Sequence, residues 1–89
     1  MHDFSGVLTT LQCFYNILMN EKEFLIRFGK NLKIQRIKKE YTQEQLAEIV
    51  DMHEKHIGKI ETGRQNVTLK TVYRLASALK IDPIKLFLK

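Results

Sequence analysis

The chain has 89 residues, enough for one domain with a single modest core and too few for a separate catalytic domain beside it. Hydrophobic residues make up 44% and charged residues 28%, the balance of a soluble globule and not of a disordered or fibrous chain. Fifteen Lys and Arg against ten Asp and Glu leave a net charge of +5, which favours a polyanionic partner, and a single cysteine, Cys13, excludes an internal disulfide and a thiolate zinc cluster and suits a reducing, cytoplasmic setting.

Residues 1–20 contain no Lys or Arg and one acid, Asp3, so the whole basic excess lies beyond Asn20. This shift in composition predicts an apolar N-terminal extension over 1–19 ahead of a domain over 20–89. Val7, Leu8, Leu11, Phe14, Tyr15 and Leu18 recur at steps of three and four, the pattern of an amphipathic helix, with Ser5 available as its cap. Thr9, Thr10, Gln12 and Asn16 interrupt the run below membrane-spanning length, and the basic start of a signal peptide is missing, so no membrane association is expected. Such a stripe needs a cover. The chain's own core, a second copy or another protein partner would serve, unless the natural start is Met19.

Beyond Asn20 the helices are marked by capping chemistry. Asn20 with Glu23 forms a capping box, in which the first side chain accepts from a free backbone N–H and the acid three residues on reaches back; it predicts a helix over 21–39 that buries Phe24, Phe28 and Leu32, flanked by Leu25 and Ile37. Thr42 with Gln45 starts a second helix over 43–50, whose inner face is Leu46, Ala47 and Val50. A third, over 54–61, turns Ile57 and Ile60 inward. Thr68 caps a fourth over 69–80, burying Leu69, Val72, Leu75, Ala76 and Leu79, and Asp82 followed by Pro83 opens a short fifth helix ending near Leu88. No segment reads as a strand, and no repeat is visible.

The second and third helices are three residues apart, with a small residue, Ala47, where the first of them must let the other approach; this is how a helix-turn-helix packs. From Phe28 to Phe87 the chain resembles the Xre-type, Cro and phage repressor-like, DNA-binding domains, in the stretches TQEQLAEIV, IGKIETGRQNVTL and LASALKIDPIKLF. The resemblance implies an all-α, five-helix Cro/repressor-like domain, here with an additional N-terminal amphipathic helix, that binds operator DNA as a dimer. Restriction-modification controller proteins are similar in size, and GRQNVTL is similar to the loop before their fourth helix. Three residues depart from the family pattern. Asp51 stands where a turn glycine is usual, His53 stands where Ser or Thr usually caps the third helix, and Gly58 interrupts that helix.

The tetrapeptide HEKH at 53–56 has two other readings. A zinc protease needs histidines four apart with a glutamate next to the first, whereas His53 and His56 are three apart and no third ligand is near in sequence, so no metal is expected. On a helix with Ile57 and Ile60 inward, Lys55, Gly58, Lys59 and Thr62 fall on the outer face, Glu54 at its leading edge and His56 on its flank. Glu54, Lys55, His56, Gly58 and Lys59 are therefore the candidate base readers, Lys donating to guanine and Glu accepting from cytosine, against the alternative of a plain solvated face.

Gln43, in the first turn of the second helix, is placed for a phosphate, and Thr62, Arg64, Gln65, Asn66 and Lys70 make a polar, basic run for the adjacent backbone. The resemblance implies the same role for Gln43, and also an ion pair between Arg36 and Glu61. Ile84, Phe87 and Leu88 are candidates for a homodimer contact that would set two reading helices roughly 34 Å apart on double-stranded DNA. The expected function is a sequence-specific transcriptional regulator on a pseudo-palindromic operator. Neither an enzyme nor a cofactor is expected, since no nucleophile-base pair or phosphate-binding glycine loop is visible. The alternative is an antitoxin-like or other protein-binding module in which DNA binding is secondary.

Overall fold

The computed structural model describes residues 20–88. Each helix starts where a side chain satisfies backbone N–H groups that the first turn leaves open. Asn20 and Glu23 exchange hydrogen bonds of 2.8 and 3.3 Å to open α1, Glu21–Lys38. Thr42 and Gln45 do the same at 3.0 and 2.9 Å for α2, Gln43–Val50. Thr68 accepts from the Thr71 N–H to open α4, Leu69–Leu79. The exception is α3, Glu54–Glu61, where His53 holds the cap position but makes no capping hydrogen bond.

The C-termini share one device. Glu40, Asp51, Gly63 and Lys80 all have left-handed backbone, with φ of 61°, 59°, 76° and 57°. After each, an N–H reaches back five residues: Tyr41 to Arg36, Met52 to Ala47, Arg64 to Lys59 and Ile81 to Ala76. This closure satisfies carbonyls that the last turn would strand. The Asp51 turn therefore keeps its shape without the usual glycine, at the steric cost of a Cβ. Arg74, from α4, adds a side-chain hydrogen bond to the Val50 carbonyl at the end of α2.

Phe28, Leu32, Leu46, Ala47, Val50, Ile57, Ile60, Val72, Leu75, Ala76, Leu79 and Leu86 form one buried cluster. Burying each large side chain contributes about 1.5–3 kcal/mol, so this cluster is the main term holding the helices together. Helix α1 packs on α3, α3 on α2, and α2 on α4. Gly29 sets the first of these approaches: a Cβ there would lie 2.2 Å from the Ile60 carbonyl oxygen and 2.6 Å from that of Glu61, so the end of α3 rests directly on the α1 backbone.

The described residues form four α-helices, no strand, and one turn of 3-10 helix, Pro83–Leu86, at the place expected for a fifth helix. Leu86 is buried, and Asn31 of α1 donates to its carbonyl oxygen at 3.1 Å and to that of Leu88, pinning the C-terminal segment. Three side chains expected inside are exposed: Phe24, Ile37 and Leu69. Leu69 lies in the first turn of α4, where Val67 from the preceding loop packs on the core instead, and Phe24 stacks on Phe87 at the edge of the core, with 6.1 Å between ring centres. The amphipathic helix expected within 1–19 lies outside the described residues. No helix among those described is long and apolar enough to cross a membrane.

Candidate nucleic-acid interface

Helix α3 has two unlike sides. Ile57 and Ile60, at 0% and 1% exposure, and Glu61 face the body, whereas Glu54, Lys55 and Lys59 are exposed and His56 and Gly58 half-buried. The helix has little local support, with an idle cap and a glycine that costs about 1 kcal/mol against alanine. It is held by its buried side.

One shallow groove is lined by Gln43, Glu54, Lys55, Gly58, Lys59, Thr62 and Arg64, so most of the candidate base readers and three candidate phosphate residues share a surface. A neighbouring recess brings His53, His56 and Gln65 to the same lysines. Asn66 and Lys70 are exposed but line neither recess. Arg64 Nε donates to Thr62 Oγ1 at 2.9 Å, and that hydroxyl donates to the Gly58 and Lys59 carbonyls, so the arginine leaves the end of α3 in a fixed direction.

Beneath the groove lies a buried network. Arg36 Nε donates to Glu61 Oε2 at 2.6 Å and Nη2 to Oε1 at 3.2 Å, while Nη1 donates to the Tyr41 carbonyl at 2.7 Å. Both residues are nearly inaccessible, at 8% and 6% exposure. Gln43 Nε2 donates to the same Glu61 Oε1 at 2.9 Å. That last bond ties α2 to the end of α3 across 18 positions and has no signature in the spacing of residues. Gly29 was missed in the sequence, although a glycine inside an otherwise regular helix is a signal of close approach that does not name what approaches.

At the C-terminal end Ile84 and Leu88 are exposed, at 58% and 52%, whereas Phe87 is half-buried against Phe28 with ring centres 5.2 Å apart. Of the three dimer candidates, Phe87 is thus largely engaged within its own chain. Among the described residues no group of three or more His, Cys, Asp or Glu side chains is placed to hold a metal ion.

Two short helices at a three-residue turn, the second with a buried aliphatic side and a basic outer one, define a helix-turn-helix domain of the kind that places its second helix in a DNA groove. The chain belongs to the helix-turn-helix family, whose model matches residues 32–86. It is 40% identical over 74 residues to control protein C.SmaI of Serratia marcescens, which covers 83% of this chain and 80% of that protein. The crystal structure of the restriction-modification controller C.AhdI of Aeromonas hydrophila matches with a TM-score of 0.69 at 38% identity, over 71% of this chain and 96% of that one. The restriction-modification controller C.Esp1396I, solved as a tetramer in complex with its natural 35 base-pair operator, matches with a TM-score of 0.64 at 27% identity, over 74% of this chain and 96% of that one.

Proposed function

We propose that this chain is a transcriptional regulator of the restriction-modification controller type, which binds a pseudo-palindromic operator as a homodimer. The observation that carries this reading is the two-sided α3, with Ile57 and Ile60 buried and Lys55 and Lys59 free on the opposite side. Lys55 and Lys59 donate to guanine O6 and N7, Glu54 accepts from a cytosine amino group, and His56 and Gly58 border the contact. Gln43, Thr62, Arg64, Gln65, Asn66 and Lys70 hold the flanking phosphates, fixing the register in which α3 reads. Exposed Ile84 and Leu88 meet their copies across a two-fold axis. The relation to operator-bound C.Esp1396I supports DNA as the partner.

Duplexes selected from a random pool supply the test. Gel shifts at two salt concentrations should show Lys55→Ala and Lys59→Ala each costing about 1–3 kcal/mol on the selected duplex and less on unrelated sequences. Equal binding to every sequence, with or without the lysines, would overturn the regulator reading.

A further inference from the structure

We propose that Glu61 is a positioning residue for the DNA backbone contact of Gln43, an inference that rests on the regulator reading. A glutamine side chain has three rotatable bonds, and freezing them on binding costs affinity unless something has frozen them already. Here Glu61 Oε1 holds the Gln43 amide nitrogen at 2.9 Å from below. An amide nitrogen carries two hydrogens, so one serves Glu61 and the second remains for a phosphate oxygen. The capping box takes up the Thr42 and Gln45 N–H groups, leaving those of Gln43 and Glu44 at the α2 start without a partner inside the helix.

A carboxylate beneath a phosphate would ordinarily repel it. Arg36 meets both Glu61 oxygens, at 2.6 and 3.2 Å, so the acid acts as a neutralised acceptor and not as a free charge. Gly58 completes the arrangement. A Cβ at that position would lie 3.7 and 3.8 Å from the two polar atoms of the Gln43 amide and nothing else outside its own helix comes within 4 Å. The amide thus lies over the one place on the outer face of α3 that has no side chain, where a longer residue would displace it. Arg36 and Glu61 carry binding function through Gln43 as well as stability.

The experiment substitutes single phosphates of the selected duplex by uncharged methylphosphonates. On wild-type protein several positions per half-site should weaken binding, one for each phosphate held, and the one facing Gln43 should cost about ten-fold, the loss expected for one hydrogen bond to a charged group. Gln43→Ala should bind about ten-fold more weakly and be indifferent at that position. The double variant Arg36→Met/Glu61→Leu removes the anchor while keeping the site filled, and it should lose the same sensitivity while melting near wild type. Should that variant fail to fold, Arg36→Leu/Glu61→Met decides, since it too offers the Gln43 amide no carboxylate or carboxamide oxygen: Gln43→Ala should then cost less than about three-fold in its background, against ten-fold in wild type. An undiminished Gln43→Ala effect or intact methylphosphonate sensitivity in the folded Glu61 variants overturns the positioning role alone, as does a Gln43→Ala protein that binds like wild type. Failure of the wild type to enrich any duplex overturns the regulator reading and this inference together.

Discussion

Two glycines inside helices should respond to the same substitution with opposite signs. At Gly29 the added methyl would sit 2.2 Å from one backbone oxygen, 2.6 Å from a second and 2.7 Å from the Glu61 carbonyl carbon. Backbone cannot swing aside as a side chain does, so α1 and the end of α3 must separate by about 1 Å, and overpacking of this kind costs about 1–3 kcal/mol or more. The separation also pulls on the Arg36–Glu61 pair, whose shorter contact is 2.6 Å. Better helix propensity returns at most about 1 kcal/mol. Gly29→Ala should therefore destabilise by about 1–3 kcal/mol net, lowering Tm by roughly 5–20 °C in a domain of this size. At Gly58 the nearest atoms to the new methyl are 3.7 and 3.8 Å away, an ordinary contact, so only the propensity gain remains. Gly58→Ala should raise Tm by a few degrees, for about 0.5–1 kcal/mol. Thermal and urea unfolding followed by circular dichroism reads both. A Gly29→Ala protein melting at or above wild type would refute the close approach of α1 and α3.

Arg36→Ala should cost roughly 3–5 kcal/mol in urea unfolding, because it strands a buried carboxylate; a melting curve like wild type would mean that Glu61 finds water or another cation. Lys80→Gly should stabilise by about 0.5–1 kcal/mol, since a lysine now occupies a left-handed position at φ 57° where glycine carries no Cβ penalty; no gain in Tm would show that the turn relaxes around the side chain. Ile84→Glu/Leu88→Glu should shift the mass in solution to that of a monomer with the helical signal unchanged, and a persisting dimer would place the contact elsewhere. Deleting residues 1–18 and repeating the mass measurement separates a dimer held by the extension from one held at the C-terminal end.

What the sequence made legible was chemistry confined to one or two turns. Asn20 with Glu23, Thr42 with Gln45, Thr68 and Asp82 each accept from an N–H within three residues, and their partners can be named by counting. Periodicity likewise placed Ile57 and Ile60 inward. It failed for Ile37 and Leu69 because period fixes a direction around the helix axis and not whether a neighbouring element extends far enough to cover that turn. The left-handed ends at Glu40 and Lys80 were hidden for another reason: these residues have no special affinity for that backbone, and the conformation is imposed by the hydrogen bonds that close the helix behind them. The link from Gln43 to Glu61 joins helices whose separation only the assembled fold determines, so residue spacing could not supply it.

The weak local support of α3 has a consequence for how such a protein changes over time. Because its order comes from Ile57, Ile60 and Glu61 beneath it, exchanging Glu54, Lys55 or Lys59 breaks no side-chain hydrogen bond or ion pair among the described residues. With α3 as the proposed reader of bases, target preference can drift one residue at a time with little loss of foldedness along the way.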